Sequence, residues 1–429
     1  MSATTTASQF TRLPTQMANV PLTTARGAAI VPVNLTAADG VPSKGLLYTP
    51  ATGVSRVGVH LMHPRTDQSQ NYNIAPLVEA GYTVLGRGGR SVNNDVDTVH
   101  EELMLDVAAG VELLKQHGCE QVVLLGNSGG GALAAMYQAQ AETKPGSRFR
   151  PALPYTSVDL DTAHLPPADG IVLIGAHMGE GEVLLRLIDA SVIDEGDPES
   201  VDRRLDPYSP ANGFRIPLEL THYSAEFLAE YRAAQRQRVA RLDAIALDAI
   251  ERAVNAERLL GSTDESFERR YELERQTVVG KMMVIYRTLA DPAFVDTSID
   301  PDDRIPGGKQ THGRPDLQNY SHEGFARYLT PRAWLSTWSA LSTPAQTLPC
   351  LCHVTVPVFV AHYAGDPYTR LGQLEELRVA LAGRDAAFEV IRKVDHYGFA
   401  IDDSGQVGAR SPAGVNAVAN WLRDRFPLD

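Results

Sequence analysis

One stretch limits what this chain can become: Gln121-Val-Val-Leu-Leu-Gly-Asn-Ser-Gly-Gly-Gly-Ala-Leu-Ala-Ala135. Val122 to Leu125 is a short apolar run that reads as a buried strand ending at Gly126, and an Ala- and Leu-rich helical run begins after Gly129. Between them lies Gly126-Asn127-Ser128-Gly129-Gly130, a G-x-S-x-G pattern in a strand–turn–helix context, which is the spacing of a nucleophile elbow. So tight a turn holds the serine in a strained conformation, and side chains at the flanking glycines would strike the strand or the helix. The hydroxyl is lifted clear of the sheet. Beside it, at a helix start, the Gly129 N–H faces a place where developing negative charge is welcome.

Two rival readings of the stretch exist. Gly129-x-Gly131-x-x-Ala134 also fits a dinucleotide loop, but that reading needs a second strand ending in an acidic residue about 20 residues on. Residues 143–155 are instead a Pro-, Gly- and Ser-bearing loop. The other rival is a plain structural turn, and the rest of the chain decides against it.

At 429 residues the chain can hold one large domain or two, and a hydrophobic content of 43% supports a sizeable core. The formal charge of −13 comes without a strong basic cluster, which argues against nucleic acid or an anionic membrane surface as partner. Cys119, Cys350 and Cys352 make a poor disulfide framework and suit a reducing compartment. Cys350-Leu-Cys352-His353 lacks the usual metal-ligand spacing, so no metal is expected. The N-terminus is Thr-rich and polar, without the apolar stretch of a signal peptide, and no run approaches the ~20 apolar residues of a membrane span. A cytoplasmic protein is the expectation.

Taken in order, residues 1–26 read as an extended arm. Ala28 to Leu35 and Gly45 to Tyr48 flank the turn Ala37-Ala-Asp-Gly40, a hairpin signal. Strands follow at Val57–Met62, ending in His63-Pro64-Arg65-Thr66, and at Tyr82–Leu85, ending in Gly86-Arg87-Gly-Gly-Arg90. Thr98-Val-His-Glu101 reads as a capping box for a helix that puts Leu103, Val107, Val111 and Leu114 on one face. After the elbow comes the strand Ile171–Ile174, ending in Gly175-Ala-His177-Met178. Strands alternating with helices predict a mostly parallel sheet covered on both faces.

The alternation breaks from about Gly179 to about Leu348. Tyr223 to Leu260 reads as a long helix. The box Ser262-Thr-Asp-Glu265 should start another, carrying Phe267, Tyr271, Val278, Met282 and Leu289, and residues 296–320 read as loop. The alternation resumes with the strand Val356–Ala361 before Gly365-Asp366, a helix with Leu371, Leu374 and Leu377, and the strand Phe388–Val394 before Asp395-His396-Tyr-Gly398. Ser411-Pro412 should cap a last helix that buries Val415, Val418, Leu422 and Phe426.

Serine chemistry needs a base, a carboxylate to orient it and donors for an oxyanion. Residues just past the strand C-termini of a parallel sheet share one edge. Ser128, Asp366 and His396 all fall there, in that order. With these residues in place the chain resembles the α/β-hydrolase superfamily over about residues 27–180 and 350–427, with its nearest look that of esterase- and dienelactone-hydrolase-like members. The resemblance implies an α/β fold with a mostly parallel sheet flanked by helices, the core at 27–179 and 349–429, and a mainly helical cap at 180–348 inserted after the sixth strand. It implies Ser128 as nucleophile, His396 as base, Asp366 as orienting acid, and no cofactor. Many relatives carry His-Gly after the third strand. Here Pro64 has no N–H, so the second oxyanion donor, beside Gly129, is expected on Arg65 or else Thr66, with His63 ordering the loop.

His177, His100 and His362 compete weakly for the base, the first also following a strand, and Asp395 for the acid. Arg87 and Arg90 lie on the active edge, where they could hold a substrate carboxylate, although ion-pair roles suit them better. The expected activity is hydrolysis of a carboxylic ester, lactone or thioester through an acyl-enzyme. The alternatives are carbon–carbon bond cleavage in a diketone, amide hydrolysis, or a hydrolase-like binding protein. A small-molecule substrate and a homodimer are the expected partners. Phe227, Tyr231, Tyr271, Met282 and Tyr286 are expected to supply apolar surface that the inserted block closes over Ser128.

Overall fold

The computed structural model describes residues 25–428 except 93–94, 262–265, 308–313, 323 and 404. Nearly all of the expected N-terminal arm and the Ser262–Glu265 capping box lie outside the described residues.

Five-residue runs such as Val57-Gly-Val-His-Leu61 and Gly170-Ile-Val-Leu-Ile174 are buried throughout because both faces of their strands are covered. Eight strands form one sheet: β1 (Ala29–Thr36), β2 (Pro42–Thr49), β3 (Val57–Leu61), β4 (Thr83–Arg87), β5 (Gln121–Asn127), β6 (Gly170–Ile174), β7 (Val358–Tyr363) and β8 (Ala386–Ile391). Their order is β1-β2-β4-β3-β5-β6-β7-β8. The β1–β2 and β2–β4 pairs are antiparallel, and every pair from β4 to β8 is parallel. The helices that cover it are α1 (Ile74–Glu79), α2 (His100–Gln116) and α3 (Gly130–Glu142); the inserted block then carries α4 (Glu180–Leu187), α5 (Ala225–Leu260) and α6 (Phe267–Val278), which pack among themselves, and the sheet's remaining helices are α7 (Leu371–Ala380) and α8 (Ala413–Arg425).

Alternate strand residues feed two cores. Val122, Leu124, Ile171 and Leu173 join Leu103, Val107, Val111 and Leu114 of α2 on one face, with α3 and α7. Val123, Leu125, Val172 and Ile174 join α1 and the Val415, Val418 and Leu422 face of α8 on the other.

The segment between β6 and β7 has a core of its own, where Leu184, Val239, Leu242, Ile285, Trp334 and Trp338 are buried together. The chain leaves and returns at one place: Thr347 donates its N–H to Met178 O (2.9 Å) and its hydroxyl to His177 O (3.0 Å). Asp291 of the insertion accepts from Arg232 on α5 (2.6 Å) and from Arg370, which follows Asp366 in the core (3.0 Å).

Three local expectations are corrected. Thr98 does not cap α2. Val99 precedes the helix without a side-chain cap, and the first N–H, of His100, goes to Ser336 Oγ of the insertion at 2.8 Å. Helix α6 ends at Val278, short of Met282 and Leu289, because residues 279–282 leave the helix and Met283 pairs with Leu329. Its Phe267, Tyr271 and Val278 are exposed rather than core. Helix α1, only six residues long, carried too short a period to be read from the sequence.

Candidate active site

The elbow forms because its glycines leave no choice. A Cβ at Gly126 would lie 2.4 Å from Gly130 O, and one at Gly130 2.5 Å from Met62 O. Ser128 itself takes φ 57°, a left-handed conformation costly for any residue with a Cβ, and the packed strand and helix on either side hold it there. Gly129 precedes α3, so its N–H is one of the donors that a helix start leaves without an intrahelical partner.

The structure brings Ser128, His396 and Asp366 together. Ser128 Oγ lies 2.9 Å from His396 Nε2, and His396 Nδ1 lies 2.7 Å from Asp366 Oδ2. Asp366 Oδ1 accepts the Tyr368 N–H at 2.7 Å. A carboxylate can only accept here, so the imidazole carries its proton on Nδ1 and offers Nε2 to the serine hydroxyl. Burial disfavours the imidazolium, but the Asp366 carboxylate outweighs it, and the His396 pKa is raised above its ordinary value. Burial alone would likewise raise the Asp366 carboxyl, yet His396 and the Tyr368 N–H hold it below the usual range. Tyr368 and Tyr397 each set an edge against the His396 ring, with centroids 5.0 Å away.

The competing residues sit elsewhere. Asp395 Oδ1 is turned into its own loop, accepting from the N–H groups of Tyr397 (2.9 Å) and Phe399 (2.8 Å). His100 is buried against Thr337 Oγ1 at 3.0 Å, and His362 is buried within β7. Arg87 is fully buried, held by Gly88 O, Asp106 O and Ser43 Oγ, and Arg90 is bound to Asp39 and Asp106. Neither arginine reaches the cavity.

Arg65 does not supply the second oxyanion donor expected of it. Its N–H donates to His63 Nδ1 (3.0 Å), as does that of Thr66 (3.2 Å). Two donors on Nδ1 force the ring proton of neutral His63 onto Nε2. Burial, with Arg65 and two other histidines nearby, lowers the His63 pKa to about 3 despite the Glu180 carboxylate, so the ring is neutral near pH 7. The place a Cβ on Gly129 would take lies 2.3 Å from Glu180 Oε1 and 3.1 Å from His63 Nε2, so both side chains crowd that glycine. His63 therefore orders the loop, as the sequence suggested, and also presents an N–H beside Gly129.

The Arg65 side chain ties the insertion to this loop. Its Nε meets Glu180 Oε1 at 3.0 Å and its Nη1 meets Asp95, while the guanidinium stacks 4.9 Å from the Trp338 ring centroid. Burial is overcome by Arg65 and the nearby histidines, and the Glu180 carboxyl falls to about 2. His177 takes the Gly179 N–H on Nδ1 (3.2 Å), and burial lowers its pKa to about 4. Glu180 was outside any motif; only its approach to Arg65 in space reveals it.

A cavity of about 410 Å³ opens beside Ser128, walled by His63, Arg65, His177, His396 and Arg410 among others. From the insertion, Val183 and Phe325 line it. The aromatic residues expected to do so do not: Tyr231 is fully buried with its hydroxyl on Ala290 O, and Tyr271 is 54% exposed. Among the described residues, no group of three or more His, Cys, Asp or Glu could hold a metal ion, and no helix is long and apolar enough to cross a membrane.

No protein-family model matches the sequence, and no curated protein matches it. Solved structures align over most of its length. The Pyrococcus furiosus esterase PF2001 is 11% identical, with 92% of this chain and 91% of the other covered and a TM-score of 0.41. The alpha/beta hydrolase GrgF from Penicillium sp. sh18 is 11% identical, with 93% and 99% covered and a TM-score of 0.46. The Paleococcus ferrophilus monoacylglycerol lipase is 13% identical, with 92% and 99% covered and a TM-score of 0.39. The strand order, the antiparallel β2 and the serine turn between β5 and α3 give this chain the α/β-hydrolase fold.

Proposed function

We propose that the protein is a serine hydrolase that cleaves a carboxylic ester, lactone or thioester through an acyl-enzyme on Ser128. The observation that carries this reading is the unbroken relay from Ser128 Oγ through His396 to Asp366, opening on a cavity. His396 Nε2 takes the hydroxyl proton as Oγ attacks the carbonyl carbon, and the Asp366 carboxylate stabilises the imidazolium that forms. The same Nε2–H then protonates the leaving alcohol or thiol. In the second half His396 deprotonates a water, which releases the acid and restores Ser128. The oxyanion would be held in both halves by the Gly129 N–H at the start of α3, with the His63 Nε2–H beside that glycine as the proposed second donor. With Phe325 and Val183 in the cavity wall, the insertion shapes the acyl site and acts as its cap.

Labelling with a fluorophosphonate tests the reading. The wild-type protein should be labelled and Ser128→Ala should not, with no ester in a broad panel turned over by that variant. An unlabelled wild-type protein would leave a ligand-binding role for the cavity.

A further inference from the structure

One face of the insertion is apolar and open to solvent. Helix α6 packs along α5 and buries Leu273, while Phe267, Tyr271 and Val278 are 79%, 54% and 78% exposed. At about 100° per residue these three fall on one stripe, on the far side of the helix from Leu273. The Phe267 and Tyr271 rings stack with centroids 6.4 Å apart, and the Arg275 guanidinium lies 5.1 Å from the Tyr271 ring centroid. Exposed Val279 continues the stripe past the helix end. Apolar residues aligned in this way form a patch rather than a scatter, and such patches mark interaction sites.

The charges beside the stripe select its partner. Glu268 and Arg275 border it on one flank, Arg270 and Glu274 on the other. All four are exposed and, among the described residues, none is in an ion pair; Arg269 and Glu272 pair with each other away from the stripe at 3.2 Å. A second α6 laid antiparallel on this face, about a two-fold axis near Tyr271 and Glu272, sets Phe267 against the partner's Val278 and brings the two Tyr271 rings together. The same rotation sets Glu268 opposite the partner's Arg275 and Arg270 opposite the partner's Glu274, so opposite charges meet on both flanks. The helix carries three Glu and three Arg, so its face does not share in the chain's charge of −13. It also lacks the basic excess with which an interfacial helix meets an anionic membrane. Its 12 residues span about 18 Å, which gives a contact smaller than the roughly 800 Å² per partner of a standard interface, so the pairing is weak.

We propose that the Phe267–Val278 stripe of α6 is a self-complementary surface on which two copies of this chain pair antiparallel. The pairing does not depend on the Ser128 reading. Sedimentation equilibrium of the full chain from about 1 to 200 µM should show a species of twice the 46.5 kDa of one chain, with a Kd roughly in the micromolar range. Phe267→Asp should weaken the pairing more than about 10-fold, the scale of losing an aromatic anchor. Charge reversal reads the orientation. Glu268→Arg sets two cations face to face and Arg275→Glu two anions, so each should weaken the pairing about 10-fold. The two reversals together restore the match and should return the Kd to near its wild-type value. Circular dichroism checks that each variant keeps its helices, and if Phe267→Asp does not, the charge reversals decide alone. Protein that stays monomeric to about 200 µM overturns the proposal. So does a dimer that folded Phe267→Asp leaves intact, or a loss on single reversal that the double reversal does not repair. A monomer that binds vesicles of phosphatidylcholine and phosphatidylserine, and loses them in Phe267→Asp, overturns it too and gives the stripe to a membrane.

Discussion

At the scale of single residues the site turns on where protons sit. His396 acts as a base only when neutral, and its raised pKa means that the acid limb of kcat/KM should fall above the ordinary histidine value of ~6.5. Asp366→Asn removes the charge that raises it. The limb should then move to lower pH, and kcat should drop on the order of 10⁴, the cost of the same change in the triad used as the general template. An unmoved limb would take the acid role from Asp366. His63 offers a finer test, because its two nitrogens do different work. His63→Asn keeps an acceptor near the place of Nδ1 but loses the Nε2 donor, and kcat should fall about 10²- to 10³-fold with KM little changed. His63→Gln, which can place an N–H near Nε2, should retain more. Near-wild-type kcat in His63→Asn would return that histidine to loop ordering alone. The sequence could nominate Ser128, Asp366 and His396 because each follows a strand C-terminus in a fixed order. It could not show that Arg65 spends its N–H on His63, since hydrogen-bond direction inside a loop leaves no trace in spacing.

Elements were legible where their own residues determine them. The strands next to the elbow and the α2 and α8 patterns were readable because burial on a sheet imposes its period locally, and α5 because it buries one stripe in the insertion's own core. What escaped was decided by distant chain. The start of α2 looked self-capped, yet its first N–H is met by Ser336, which also hydrogen-bonds Glu101, and Arg332 pairs with Asp97 and Glu102 beside it. Ser336→Ala should therefore act as the loss of a helix cap would, lowering stability by about 1–3 kcal/mol because it leaves a buried N–H unpaired. Denaturant unfolding reads this directly. A midpoint unchanged from wild type would mean that water or Thr337 replaces the lost acceptor. Helix α6 shows the reverse error. Its apolar spacing ran on to Leu289, but Met283 pairs as a bridge with Leu329, so an extended contact overrode a helical period.

At the scale of the whole molecule, buried histidines set the response to acid. Burial depresses His63 to about 3 and His100 and His177 to about 4, and lowers His60 and His362 as well. A group depressed in the folded state contributes stability that is full above its unfolded value and is lost as pH falls towards its folded value. For these histidines the loss begins near pH ~6.5, each costing about 1.4 kcal/mol per pH unit once well below it. His396, raised in the fold, works in the opposite direction over a narrower range. Thermal unfolding midpoints should thus decline steeply between pH 7 and 5, above the range where carboxylates titrate. A midpoint flat to pH 5 would show that these rings are charged or solvated in the folded protein.

The parallel pairing of Ile171 on β6 with Val358 on β7 also has a meaning in time. The ribosome delivers the whole insertion between those two strands, at roughly 5–20 residues per second, before the sheet can be finished. Until then β6 is an open edge of the kind that other chains can pair with, so the nascent protein is most exposed to aggregation while its insertion is being made. The same delay would keep the proposed chemistry silent. Ser128 would stay an ordinary alcohol until the histidine proposed to activate it, 268 residues further along the chain, had emerged.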